Sequence, residues 1–176
     1  GQSYKGKIMA VTINGDGSIS GLTTGKAVQV VQTQITSASS VTSNTSEVSV
    51  TGFSAAITPS SASNKVLVMC SLFYSNSGTT YAAYFKRGST IIGVGDSDGS
   101  RQQVSIGLGF VADANQSYHI GWHWLDSPST TSSTTYQLFV KNDNTVACFF
   151  NRSVNDQNSN VGKRGASTIT LIEVEA

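Results

Sequence analysis

The stretch SYHIGWHWLDSP, residues 117–128, holds both histidines and both tryptophans of the chain together with an aspartate. Imidazole and carboxylate are the groups of a general base or a metal ligand, and paired indoles can form a stacking platform for a sugar ring. Spacing decides among these. On a strand, alternate residues face opposite ways, so Tyr118, Ile120, Trp122 and Trp124 share one face and His119, Gly121, His123 and Leu125 the other. The histidines are then on one side, but at about 3.3 Å per residue their Cα atoms lie some 13 Å apart. Two ligands of one zinc ion, each about 2 Å from the metal, cannot span that without a third element. The indole face is expected to pack into a core, with an exposed platform of Trp122 and Trp124 as the alternative.

Other chemistry finds less support. No G-x-S-x-G elbow is present, and a hydrolase would have to recruit His119 or His123 as base for a serine elsewhere in the chain. The ten acidic residues are scattered, without the paired spacing of a glycosidase. GDSDGS, residues 95–100, has the Asp-x-Asp-Gly start of a calcium loop, but the twelfth position from Asp96 is Gly107 rather than a bidentate glutamate. A β-turn is the reading of that segment. Cys70 and Cys148 each sit inside an apolar run and read as buried free thiols. We therefore expect no catalytic residue, no metal and no cofactor.

The elements that position these residues are strands. Charged residues make up only 12% of the chain, aromatics 9%, and the net charge is +1, so solubility rests on Ser, Thr and Asn rather than on charge. No Lys/Arg cluster exists to attract nucleic acid, and no run of about 18 apolar residues suggests membrane insertion. Helical periodicity is missing, whereas alternating or β-branched runs occur at 27–35, 46–57 (interrupted at Gly52), 65–74, 80–87, 90–95, 102–111, 117–126, 134–141, 145–150 and 167–175. Short connectors rich in turn residues join them, of hairpin length in most cases, so the topology is expected to be antiparallel. The predicted fold is all-β, a two-sheet antiparallel sandwich of jelly-roll type over residues 26–176. Residues 1–25, Gly- and Ser-rich with too little apolar surface for a core, are expected to form an extended arm for anchoring or oligomerisation.

From about residue 25 onward, GKAVQVVQT, TGFSAAITPSSASNKVLVM, FKRGSTIIGVGDSDGSR, LDSPSTTSSTTYQLFVK, NRSVND and RGASTITLIEVEA occur in that order. This succession resembles a domain found at the C-terminal end of tail-fibre and related virion proteins of tailed bacteriophages, notably aquatic and marine ones. LDSPSTTSSTTY and RGASTITLIEV are its most specific pieces. The resemblance implies a β-sandwich on the virion surface, commonly trimeric, used for decoration or host contact, and it supplies no catalytic residues.

The expected function is a non-enzymatic virion structural protein, a short tail-fibre tip or a head decoration or spike module. Its expected partners are two further copies in a homotrimer, other virion proteins through the arm, and host cell-surface polysaccharide. Polar loops would make that last contact, with Asn76, Thr79, Asp96, Asp98, Arg101, Ser129 and Thr130 as candidate residues. A carbohydrate-binding module without virion role, using Trp122 and Trp124, is the competing reading.

Overall fold

A computed structural model of the chain describes residues 25–176 apart from 43, 44, 77 and 143, and of the first 24 residues only Thr12, Ile13, Gly15, Ile19 and Ser20. The expected arm therefore lies largely outside the described residues. Within it, β1 (Thr12–Ile13) pairs with β2 (Ile19–Ser20).

All other elements are strands of two antiparallel sheets, as the alternating patterns predict. One sheet is organised on β6 (Lys65–Asn76), the longest strand. One edge of β6 is shared by β13 (Ser167–Val174) and β12 (Ala147–Phe150), which continue outward to β3 (Ala27–Ile35) and β4 (Ser39–Thr42) respectively. The opposite edge is taken by β10 (Tyr118–Asp126), which ends the sheet. The second sheet runs from β5 (Val48–Ile57) through β11 (Thr134–Lys141) to β7 (Tyr81–Arg87), whose far edge is divided between β8 (Thr90–Ile92) and β9 (Ile106–Leu108). Alternation along β6 sends Val66, Val68, Cys70, Leu72 and Tyr74 into the core and leaves Lys65, Leu67, Met69, Ser71 and Phe73 on the outer face. The inward residues meet Phe53, Ile57, Phe85, Tyr136 and Leu138 of the opposing sheet, and Phe53 packs on Phe150 with ring centroids 5.1 Å apart. Cys70 and Cys148 are buried free thiols, and burial pushes the Cys70 thiol up to about 12.

Three details differ from the sequence reading. The short connectors mostly arch from one sheet to the other: 58–64 carries β5 to β6, 127–133 carries β10 to β11, and 142–146 carries β11 to β12, while β7 and β8 are joined as a hairpin. Loop length alone does not separate an arch from a hairpin. The runs expected at 90–95 and 102–111 shorten to β8 and β9: Gly93, at φ 61°, follows β8, and beside β9 the Ser105 hydroxyl bridges the strands, donating to Ile92 O at 2.7 Å and accepting from Phe85 N at 3.3 Å. Gly52 does not break β5. At φ 81° it forms a bulge flanked by the carbonyls Val50 O and Phe53 O, which accept from the Gln137 amide at 2.8 and 3.1 Å.

Three buried polar side chains fix the strand ends. Asp126, the last residue of β10, accepts from Arg87 Nε at 2.7 Å and Tyr136 Oη at 2.8 Å, tying the edge strand to β7 and β11 of the other sheet. Asn151, at φ 59°, donates to Ile35 O and Ser37 O and accepts from Ser167 Oγ, closing the end of β3 onto β13. Asparagine tolerates that left-handed backbone better than most residues. Glu173 accepts from Ser60 N and Oγ, Asn64 Nδ2 and Gln29 Nε2, which holds the 58–64 arch against β13.

Burial alone would raise the Glu173 carboxyl. The hydrogen bonds from Asn64, Gln29 and Ser60 outweigh it and hold the group at about 2, against an ordinary value of 4.5. Because the folded value is depressed, this contribution is complete above pH 4.5 and is lost as pH falls from 4.5 towards 2. Equilibrium urea unfolding at a series of pH values should show wild-type stability falling through that window, with a shallower fall for Glu173→Gln. At pH 7 the variant should be less stable by about 2 kcal/mol, the scale of hydrogen bonds to a charged group. Gly93 gives a second test: at φ 61° it lies against the β10 indoles, and a Cβ there would come within 2.4 Å of Trp122 Cζ2. Gly93→Ala should cost about 2–3 kcal/mol in the same measurement, from overpacking and backbone strain together.

Candidate functional site

The structure does not gather the seven loop residues expected to contact ligand. Asn76 and Thr79 lie at the end of β6 farthest from Asp126, which pairs with Val66, whereas Ser129 and Thr130 follow Asp126 at the other end. Some ten residues of strand, about 30 Å, separate the two groups. Asp96, Asp98 and Arg101 lie in the segment between β8 and β9, at the margin of the second sheet. Asn76 is buried, its amide donating to Gly109 O at 2.9 Å and its carbonyl accepting from Val111 N at 3.3 Å, so it braces a loop rather than presenting a group to solvent. Thr79 Oγ1 accepts from the side-chain amide of Asn144, in a different loop, and Thr130 Oγ1 accepts from Ser132 N in a local turn. Ser129 is exposed at φ 53° and Asp96 is exposed. Asp98 pairs with Arg101 at 2.7 Å across an exposed turn.

The faces of β10 are those its alternation predicts. Trp122 points inward and stacks on Phe85, with centroids 4.9 Å apart and rings 9° from parallel. Tyr118 and Trp124 share that face but remain 46% and 45% exposed, because β10 is an edge strand and the sandwich is open beside it. With Trp122 covered by Phe85 and Gly93, the two indoles do not form a joint platform. The histidines take the outer face. His119 lies opposite Phe73, its ring edge-on at 6.0 Å, and His123 lies opposite Met69.

His119 Nε2 is 2.7 Å from Ser71 Oγ, a serine–imidazole contact of the kind a nucleophile requires. The surroundings do not complete it. Ser71 sits in mid-strand between Gly121 of β10 and Thr168 of β13, so the ladders on both sides occupy the local backbone and no pair of N–H groups is left to hold an oxyanion. Among the described residues no carboxylate is bonded to the other nitrogen of His119, and no three His, Cys, Asp or Glu side chains come together as a metal site.

The outer face of the large sheet is nevertheless organised in rows across four strands. Val30, Ile172, Leu67 and Leu125 form an aliphatic row, with Val30 61% exposed. The next two rows are mostly polar: Gln32, Thr170, Met69 and His123, then Gln34, Thr168, Ser71 and Gly121. Because Gly121 has no side chain, an open hollow of about 400 Å³ forms over it, walled by Met69, Ser71, His123, Thr168 and Thr170. Beyond the Phe73–His119 row a second hollow of about 440 Å³ is lined by Phe73, Asn115, Gln116, Ser117, Lys163 and Arg164. Arg164 and Arg152 both pair with Asp156, at 2.6 and 2.9 Å, and Lys163 lines the same hollow as Arg164. Ser117 Oγ is shielded from solvent and has no hydrogen-bond partner.

Sequence reasoning missed this face. Its polar residues are visible in TQ, MCS and STIT, but they become neighbours only once the order β3-β13-β6-β10 is known.

No protein-family model matches the chain, and no curated protein matches it. Solved structures of infectious bursal disease virus are similar to it, from the Gt strain at 13% identity and the Gx strain at 12%, each with a TM-score of 0.40. They cover 84% of this chain, which spans only 40% of the length of theirs, and likeness of that degree carries no argument about function.

Substitution separates bracing residues from surface residues. Asn76→Ala, which leaves Gly109 O and Val111 N without partners, should destabilise by about 2–3 kcal/mol in urea unfolding. Asp98→Asn should leave the midpoint unchanged, as expected for an exposed pair.

Proposed function

We propose that the chain is a non-enzymatic virion structural protein of a tailed bacteriophage, displayed on the particle as a short tail-fibre tip or a head decoration or spike module. One observation carries this reading. The segments that resemble phage virion domains are those that build the three buried polar hubs. FKRGST supplies Arg87, and LDSPSTTSSTTY supplies both Asp126 and Tyr136. NRSVND supplies Asn151, and RGASTITLIEVEA supplies Ser167 and Glu173. GKAVQVVQT and TPSSASN bring Gln29, Ser60 and Asn64 to that glutamate. The resemblance thus follows residues that hold the sandwich together, which a chance match of Ser/Thr-rich β composition would not do.

A homotrimer suits the same surface. The row Val30, Ile172, Leu67 and Leu125 leaves aliphatic side chains in water, β10 has a free edge, and few charges keep copies apart. In this reading closed assembly covers the β3 side of the row, and the N-terminal arm anchors the module to other virion proteins.

Mass spectrometry of purified particles from the source of the sequence should recover peptides of this chain. Recovery only from the soluble lysate overturns the virion reading. Light scattering at micromolar concentration should give three times the 18.4 kDa chain mass, with Val30→Asp shifting it to monomer. A wild-type monomer overturns the trimer.

A further inference from the structure

We infer that the outer face along β6 and β10 is a binding groove for an anionic polysaccharide, with a neutral pyranose over Gly121 and the anionic group beside Lys163. The inference rests on the proposed surface role for the source of the ligand, and on geometry for the site.

Gly121 is the first ground. It sits inside a nine-residue strand, its φ is not in the left-handed region, and a Cβ placed on it would meet nothing within 4 Å. Neither backbone conformation nor packing calls for glycine there, and glycine weakens a strand. What its missing side chain does provide is the hollow. The walls offer the hydroxyls of Ser71, Thr168 and Thr170 and the imidazole of His123, with the Met69 thioether as an apolar side. Donors and acceptors without charge, around a space of about 400 Å³, suit a ligand that carries many hydroxyls and an apolar C–H face.

The second ground is independent. Ser117 is one of the residues lining the neighbouring hollow, and its Oγ is shielded and unpaired, although buried polar groups almost always have a partner. Around it stand an aromatic edge (Phe73), two amides (Asn115, Gln116) and the cations Lys163 and Arg164. Arg164 is held by Asp156, which Arg152 also shares, so the cluster keeps an excess of positive charge for an anion. Gly121 and Ser117 are four residues apart on one strand line, about 13 Å, so a short oligosaccharide laid along β10 reaches both hollows. The aliphatic row at Val30 is about 20 Å from Gly121, across three strands and four residues, so a trimer contact there leaves the groove open.

The test uses the full chain on immobilised bacterial polysaccharides in three arms: uronate-containing capsular polysaccharide, phosphate-bearing teichoic acid, and neutral dextran. Binding is expected in one of the anionic arms, which identifies carboxylate or phosphate as the anion, and it should weaken with added salt. Gly121→Val fills the hollow without a clash, so its melting temperature should be unchanged or higher while affinity falls at least about tenfold. Lys163→Ala should lower affinity about fivefold in the anionic arm alone. Binding by Gly121→Val within about twofold of wild type, preference for dextran, or no binding in any arm overturns the groove. Particle mass spectrometry reads the virion assignment separately, so either can fail while the other stands.

Discussion

The Asp126 carboxylate decides how this sandwich presents itself. β10 is paired along one edge only, and such a strand, with Trp124 and Leu125 nearly half exposed, is held against the opposite sheet by few contacts of its own. At its last residue, bonds from Arg87 and Tyr136 cross the gap between the sheets. Burial, together with the bond to Asp126, holds the Tyr136 phenol far above its ordinary range. Fixing the end of β10 fixes its register on β6, and one step of slip would turn the tryptophans out and the histidines in. The rows of the outer face therefore depend on an interaction on the inner one.

The same economy recurs at the other strand ends. With 12% charged residues the chain has few carboxylates to place, yet Glu173 and Asp126 are both buried, Glu173 accepting four hydrogen bonds and Asp126 two. A buried carboxylate left with one partner would cost several kcal/mol, whereas three or more donors shift the balance towards the charged form, as the depressed Glu173 value shows. Glu173 and Asn151 secure arches and strand ends where the backbone leaves the ladder. Turns rich in Ser and Thr can stay uncharged and short because the neighbouring strand carries the acceptor.

Much of this was legible in the sequence, and the limits are physical. Alternation read β3 without error and placed the indoles and imidazoles of β10 on opposite faces, because side-chain direction along a strand is a local property. Which strand lies beside which is not local. Nothing in SYHIGWHWLD says that it ends a sheet, so the half-exposure of Tyr118 and Trp124 was unreadable, as was the Phe85 ring that covers Trp122. Asn76 was placed in a ligand loop because asparagine after a strand signals a turn, whereas β6 continues through it and the loop 109–111 returns to its amide. The strand expected at 102–111 shortened to Ile106–Leu108: Ser105 still pairs with Ala83 through its backbone, but its hydroxyl bridges Phe85 N and Ile92 O, and beyond Leu108 the chain turns to the Asn76 amide.

The candidate site moved from loops to a sheet face for a related reason. Loops at the ends of a sandwich are free to vary, but here β6 keeps the two loop groups about 30 Å apart, so no small ligand meets both. The sheet face is contiguous, and its side chains stand on paired strands that lose little freedom when a ligand is bound. An extended polysaccharide repeats along its own axis, as a strand does, and a groove parallel to β10 can hold successive units without a deep pocket. In a chain with few charges, Lys163 and Arg164 at one end of the proposed groove would set the orientation of an anionic ligand, and the absence of a side chain at Gly121 would set its fit.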